Sequence, residues 1–151
     1  MDNQLDQLTL RISRERESTE DKAHANAFAR TVLKAKLAAL DAARGYLDAH
    51  GGDGGTCNFD SAVICLRDAG PVAADDDPYK RRQEQRRLRM LDALAHGGLR
   101  AYVREYGVYE GGIAICSPIA AQGGLNTVQA EAMAKVFEDF GLNAAVSYRM
   151  D

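Results

Sequence analysis

The chain has 151 residues, which suits one domain with a single core, and 46% of them are hydrophobic. Its 19 basic and 22 acidic side chains give a formal net charge of -3, which argues against general electrostatic attraction to nucleic acid or to an anionic membrane. No apolar run approaches a membrane span, and residues 1–20 lack the basic start and apolar stretch of a signal peptide. We therefore expect a cytoplasmic α+β protein.

The N-terminal part of the sequence predicts an arm followed by a long helix. Residues 1–17 mix charge with sparse Leu and Ile and show no sustained period, which is typical of a flexible arm. Apolar side chains then recur every three to four positions over 18–50, which predicts an amphipathic helix. A second apolar row, Leu33, Leu37 and Leu40, widens its buried stripe, so we expect contact with another subunit and a homo-oligomer.

The rest of a single 18–151 domain alternates strand and helix patterns after a glycine-rich turn. The predicted elements are a strand over 56–66, a helix over 78–95, strands over 99–109 and 113–119, a helix over 127–140 capped by Asn126 or Thr127, and a strand over 144–150. The order β, α, β, β, α, β over 55–151 predicts a split βαβ, or ferredoxin-like, sandwich. In that fold an antiparallel four-stranded sheet carries two helices on one face.

This topology brings the start of the first strand, the loop before the last helix and the end of the last strand to one edge. Glycine-rich backbone and a helix N-terminus suit an anion, an arginine adds a planar cation, and aromatic and amide side chains suit a base or ribose. Taken singly, these features are more typical of turns, helix caps and core. The predicted ligand-binding residues are Gly55, Thr56, Asn58, Phe59, Asp60, Gln122, Gly123, Gly124, Asn126, Thr127, Tyr148 and Arg149.

A basic run over 80–89 is the strongest charged feature, with six basic residues at the start of the second predicted helix. Arg82, Arg86 and Arg89 could contact phosphates, although a solvated, partly salt-bridged face is the more usual reason for such a run. Neither glycine-rich segment has the spacing of a phosphate-binding loop or a dinucleotide fingerprint.

Catalytic chemistry has less support in the sequence. The three histidines fall on one helix and at two helix ends, and no catalytic or metal-ligand spacing is present, so we expect neither a metal nor a cofactor. Three cysteines without CxxC spacing predict buried free thiols. The weak candidates for an unrecognised enzyme site are Cys57, Asp60 and Arg149.

Three strings carry a resemblance: GGTCNFD at 54–60, QGGLNT at 122–127 and GLNAAVSYRMD at 141–151. They resemble a group of small proteins of phages, prophages and their hosts, over roughly residues 50–151. The resemblance implies an accessory role, including interference with host defence, and small phage proteins that sequester cyclic-nucleotide signals are a precedent.

Three hypotheses of function therefore stand. The preferred one is a non-enzymatic, oligomeric protein that binds a small anionic or nucleotide-like ligand at the predicted edge. The second is a protein or nucleic-acid interaction module that uses the long helix or the basic helix. The third is an enzyme with an unrecognised site.

Overall fold

The computed structural model describes residues 2–52, 54, 55, 58–66 and 78–149 of an α+β protein. A long N-terminal helix precedes a four-stranded antiparallel sheet and two further helices. The elements are α1 (Asp2–His50), β1 (Ser61–Ile64), α2 (Pro78–His96), β2 (Ala101–Val103), β3 (Ile113–Ile115), α3 (Gly123–Asp139) and β4 (Ala144–Ser147).

The sheet has the strand order β2-β3-β1-β4, and each neighbouring pair is antiparallel. Ala62 lies between Ile115 and Val146 in the register, and these side chains share the face that packs against the helices. Successive side chains of a strand point to opposite faces. The row Tyr102, Ala114, Val63 and Ala145 therefore lies on the other face.

The core lies between that first face and all three helices. It is built from Phe28, Val32, Ala35, Ala39, Ala62, Ile64, Leu66, Met90, Leu94, Leu99, Ile113, Ile115, Met133, Ala134 and Phe137. α1 packs mainly on α3 and less extensively on α2. Small side chains at Ala35, Ala39 and Ala43, all fully buried, let the α1 backbone approach its neighbours closely.

The start of α1 corrects the sequence prediction, because the helix begins at Asp2 and not at residue 18. Residues 2–17 are helical where an arm was expected. No proline or glycine interrupts the chain before Gly45, so local backbone preference favours continuation of the helix. The described side chains before Ala27 are all exposed, and the His24 ring lies 5.8 Å from the ring of Phe140.

The predicted strands are longer than the observed ones. The strand expected over 99–109 ends at Val103, because the chain turns where Gly107 and Gly111 adopt φ values of 92° and 79°. Within the described residues, the strands expected over 56–66, 113–119 and 144–150 are likewise limited to four, three and four residues, and positions 56, 57 and 150 of these predictions lie outside that part of the chain. The loop prediction for 67–77 lies outside the described residues.

The start of α3 corrects another prediction. This helix begins at Gly123, with Gln122 as its N-cap, so Asn126 and Thr127 lie inside it and do not cap it. Their side chains instead form hydrogen bonds with Asn58 and Asp60. Among the residues that the structure describes, no helix is both long and apolar enough to cross a membrane.

The close approach of α1 leads to a stability prediction. Ala39→Leu is expected to lower the free energy of unfolding by about 1–3 kcal/mol, because the larger side chain must enter a filled core. Ala29→Leu, on the exposed side of the same helix, is the matched control and should change it by less than about 0.5 kcal/mol. Urea unfolding followed by circular dichroism measures both, and equal effects would contradict the packing described here.

Candidate functional site

Three chain segments meet at one end of the sheet, as the topology predicted. Ser61 of β1 lies opposite Ser147 of β4, and the Phe59 N–H donates to the Arg149 carbonyl over 2.7 Å. The first turns of α3 lie beside this pair, because Asn58 Nδ2 donates to the Gly123 carbonyl over 2.7 Å. The residues before β1, after β4 and at the start of α3 are therefore direct neighbours.

Asn126 is the centre of a buried polar network at this end. Its Nδ2 donates to Asn58 Oδ1 at 2.7 Å and to the Asp60 carbonyl at 3.1 Å. Its Oδ1 accepts a 2.6 Å hydrogen bond from the Ser117 hydroxyl, after β3. Asn126 is only 7% exposed, so these bonds replace water around its amide.

Asp60 completes the network with both of its carboxylate oxygens. Oδ1 accepts the backbone N–H of Arg149 over 2.8 Å, and Oδ2 accepts the Thr127 hydroxyl over 2.7 Å. The side chain is 7% exposed and is held by neutral donors. We call Asn58, Asp60, Ser117, Asn126 and Thr127 the polar clasp, since they join the segments that meet here.

The polar clasp changes how the predicted binding residues are understood. The Asn58 side-chain Nδ2 donates to Gly123 and Thr127, and its Oδ1 accepts from Asn126. Its amide nitrogen and oxygen are therefore both hydrogen-bonded within the protein. Asp60, Asn126 and Thr127 are engaged in the same way. These side chains have a structural role, which their positions in the sequence did not reveal.

The glycines of the predicted site make room for a tyrosine. A Cβ at Gly54 would lie 2.6 Å from the Tyr46 hydroxyl and 2.9 Å from the Gly124 nitrogen, and one at Gly124 would collide with the Tyr46 ring. Tyr46 of α1 thus packs on the start of α3, with its ring stacked on His50 at 4.1 Å. Its position could not be predicted, because the sequence does not give the angle between α1 and α3.

The remaining predicted binding residues are more exposed than those of the polar clasp. Phe59 and Tyr148 expose 53% and 65% of their surface, and Gly55 and Gln122 are also exposed. The Tyr148 hydroxyl donates a 2.9 Å hydrogen bond to Glu131, and this bond raises the pKa of the phenol above its ordinary value, with a smaller contribution from burial. Thr56 and Cys57 lie outside the described residues.

A groove beside the end of β2 gathers a second set of functional groups. It encloses about 390 Å³ and is lined by Tyr102, Val103, Arg104, Glu105, Tyr106 and Arg149. We call this the tyrosine groove. Arg149 belongs both to the predicted site and to this groove: its backbone N–H is held by Asp60 and its side chain lines the groove.

The other lining residues were not predicted, because the pattern over 99–109 is that of a single strand. The alternation of aromatic and charged residues in Tyr102-Val-Arg-Glu-Tyr106 was the available signal.

The loop that borders the tyrosine groove is fixed by backbone and side-chain bonds. The Arg104 N–H donates to the Gly112 carbonyl at 2.9 Å, and the Gly111 N–H donates to the Arg104 carbonyl at 2.8 Å. Arg87 is fully buried, pairs with Glu84 and donates from Nε to the Gly111 carbonyl at 3.1 Å. One arginine of the basic run therefore anchors this loop from α2.

The other predicted chemical groups are placed as follows. Arg82 and Arg89 are exposed and Arg86 is partly buried on α2. Cys65 and Cys116 are free thiols, and burial raises the pKa of the Cys65 thiol. Within the described ranges, no group of three or more His, Cys, Asp or Glu side chains is arranged to hold a metal ion.

The polar clasp leads to a second stability prediction. Asn126→Ala removes one hydrogen-bond partner from each of Asn58, Asp60 and Ser117 at a buried position, and we expect the free energy of unfolding to fall by about 1–3 kcal/mol. Asn143→Ala, at an exposed position before β4, should lower it by less than about 0.5 kcal/mol. Chemical denaturation of the two variants gives the difference, and an Asn126 variant as stable as the control would contradict a structural role for the clasp.

Comparisons with family models, with curated proteins and with solved structures found no match to this chain.

Proposed function

We propose that this protein is a non-enzymatic binding protein for a small nucleotide-like anion, and that the tyrosine groove is its binding site. One observation carries the proposal: two arginine and two tyrosine side chains line the same groove. Guanidinium groups bind phosphate through charge-assisted hydrogen bonds, and phenol rings provide flat surfaces for a base. Few anions other than nucleotides carry both a phosphate for the guanidinium groups and a flat base for the phenol rings.

The charge state of the groove supports an anionic ligand. Among the described residues, no hydrogen bond or ion pair engages the guanidinium group of Arg104 or of Arg149. Both groups can therefore bind a phosphate without first breaking an internal contact. The clasp residues differ in this respect, because a ligand would have to displace their existing partners.

The size and lining of the groove support a ligand no larger than a nucleotide. About 390 Å³ lies near the lower end of the roughly 300–1,000 Å³ typical of small-molecule sites. Tyr102 and Tyr106 are 49% and 66% exposed, so their rings are accessible for stacking. The Glu105 carboxylate repels phosphate and favours a hydroxyl or amino group beside it, which orients the ligand.

A finer description of the fold fits this use of the sheet. We propose that the βαββαβ segment after α1 is a split βαβ, or ferredoxin-like, sandwich. The strand order β2-β3-β1-β4 with antiparallel neighbours supports this topology. Tyr102 lies on the face of the sheet away from the helices and is 49% exposed at the edge strand β2, so its ring is accessible to a ligand.

If the tyrosine groove binds a nucleotide, both the base and the phosphate should contribute to its affinity. In isothermal titration calorimetry we expect adenosine or guanosine monophosphate to bind more tightly than the nucleoside or inorganic phosphate alone, because each of those lacks one half of the recognition. Arg104→Ala and Arg149→Ala should each weaken binding about 10-fold to 100-fold. Tyr102→Ala and Tyr106→Ala should each weaken it about 5-fold to 100-fold, through lost stacking.

Arg100→Ala is the matched control, because it removes one exposed positive charge just before β2 without altering the lining of the groove. It should change affinity by less than about threefold, since exposed charges are screened by salt. Equal losses in the Arg100 and Arg104 variants would indicate nonspecific attraction. The absence of nucleotide binding to the unmodified protein would refute the proposed function.

A further inference from the structure

α1 carries a second apolar stripe on the side that faces away from the core. Leu33 and Leu37 are 53% and 64% exposed, although both belong to the part of α1 that packs on the domain. At 3.6 residues per turn they lie roughly opposite Ala35 and Ala39, which are fully buried. Leu40 and Leu47 extend the stripe towards the end of the helix. We call these four leucines the outer stripe.

We propose that the outer stripe binds the outer stripe of a second copy of this chain, with the two α1 helices antiparallel. Leu37 of one copy then packs against Leu40 of the other around a twofold axis. Leu33 and Leu37 lie away from the core side of α1, so each domain lies on the outer side of the helix pair, with the partly buried Leu40 at the edge nearest its own domain. This self-association is separate from the tyrosine groove and goes beyond the proposed binding function.

The charges beside the stripe favour a second copy as the occupant. Arg30, Lys34, Asp41 and Asp48 are all exposed and follow one flank of the stripe, with the basic pair before the acidic pair. In antiparallel helices this flank faces the same flank of the partner. Lys34 of each copy then lies opposite Asp41 of the other, and Arg30 opposite Asp48. Within the described chain, none of these four side chains already has an ion-pair partner.

The position of Arg44 disfavours a parallel pair. Arg44 lies on the line of the stripe, at helical spacing from Leu37. In a parallel pair the Arg44 side chains of the two copies would face each other, and like charges in contact are destabilising. In the antiparallel pair Arg44 lies beside Leu33 of the partner, where its aliphatic stem can cover the leucine.

Sedimentation velocity of the full chain over a concentration series tests the association. We expect a monomer–dimer equilibrium, and Leu37→Asp should raise the dissociation constant at least about 100-fold, because the change occurs twice in a symmetric dimer. Leu88→Asp is the control, since Leu88 is 55% exposed on α2 and away from the stripe. A chain that is monomeric at every concentration, or a dimer insensitive to Leu37→Asp, would overturn the proposal.

Charge reversal tests the orientation without altering a leucine. Lys34→Asp and Asp41→Lys should each weaken self-association, because each places like charges opposite one another. An equimolar mixture of these two variants should recover dimers at close to the original dissociation constant, since every reversed charge again meets its opposite. A parallel pair does not bring Lys34 and Asp41 together, so the absence of recovery in the mixture would overturn the antiparallel arrangement.

Discussion

Asp60 joins the three segments on which this end of the molecule depends. Its carboxylate accepts bonds from the Arg149 backbone and the Thr127 hydroxyl, and its carbonyl accepts one from Asn126. A buried carboxylate without hydrogen bonds costs several kcal/mol, so the end of β4 and the start of α3 stabilise each other through it. Asp60 thus holds the backbone of Arg149, a residue that also lines the tyrosine groove.

Much of the arrangement follows from patterns that the sequence contains. The helical period identified the buried side of α1 around Phe28, Val32 and Ala39, and the element order brought Asn58, Asn126 and Arg149 to one end of the sheet. The chemical roles of the residues at that end could not be predicted from these patterns. Asn126 has the residue type of a helix cap, but α3 starts earlier, at Gly123, and leaves the amide inside the clasp. Such roles depend on distances between atoms of remote segments, which residue spacing does not determine.

The tyrosine groove is a second feature that could not be predicted from residue spacing. Alternating aromatic and charged residues are compatible with a long strand, and only the positive φ angles of Gly107 and Gly111 show where that strand ends. Because the chain turns there, Arg104 and Tyr106 line a groove and do not lengthen the edge strand β2. α1 likewise has two apolar sides: the alanine side allows close packing on α3, while Leu33, Leu37 and Leu47 of the outer stripe are exposed. Binding and self-association would thus use separate surfaces.

The most direct test of the binding account is an NMR titration of isotope-labelled protein with adenosine monophosphate, following the arginine Nε–H and backbone amide signals. If the tyrosine groove binds the nucleotide, the Nε–H signals of Arg104 and Arg149 and the amides of 102–106 should move together with one dissociation constant. The amides of Gly123 and Asn126 should move little, because the polar clasp remains closed. Shifts concentrated at the start of α3, with the two arginine signals unchanged, would contradict it.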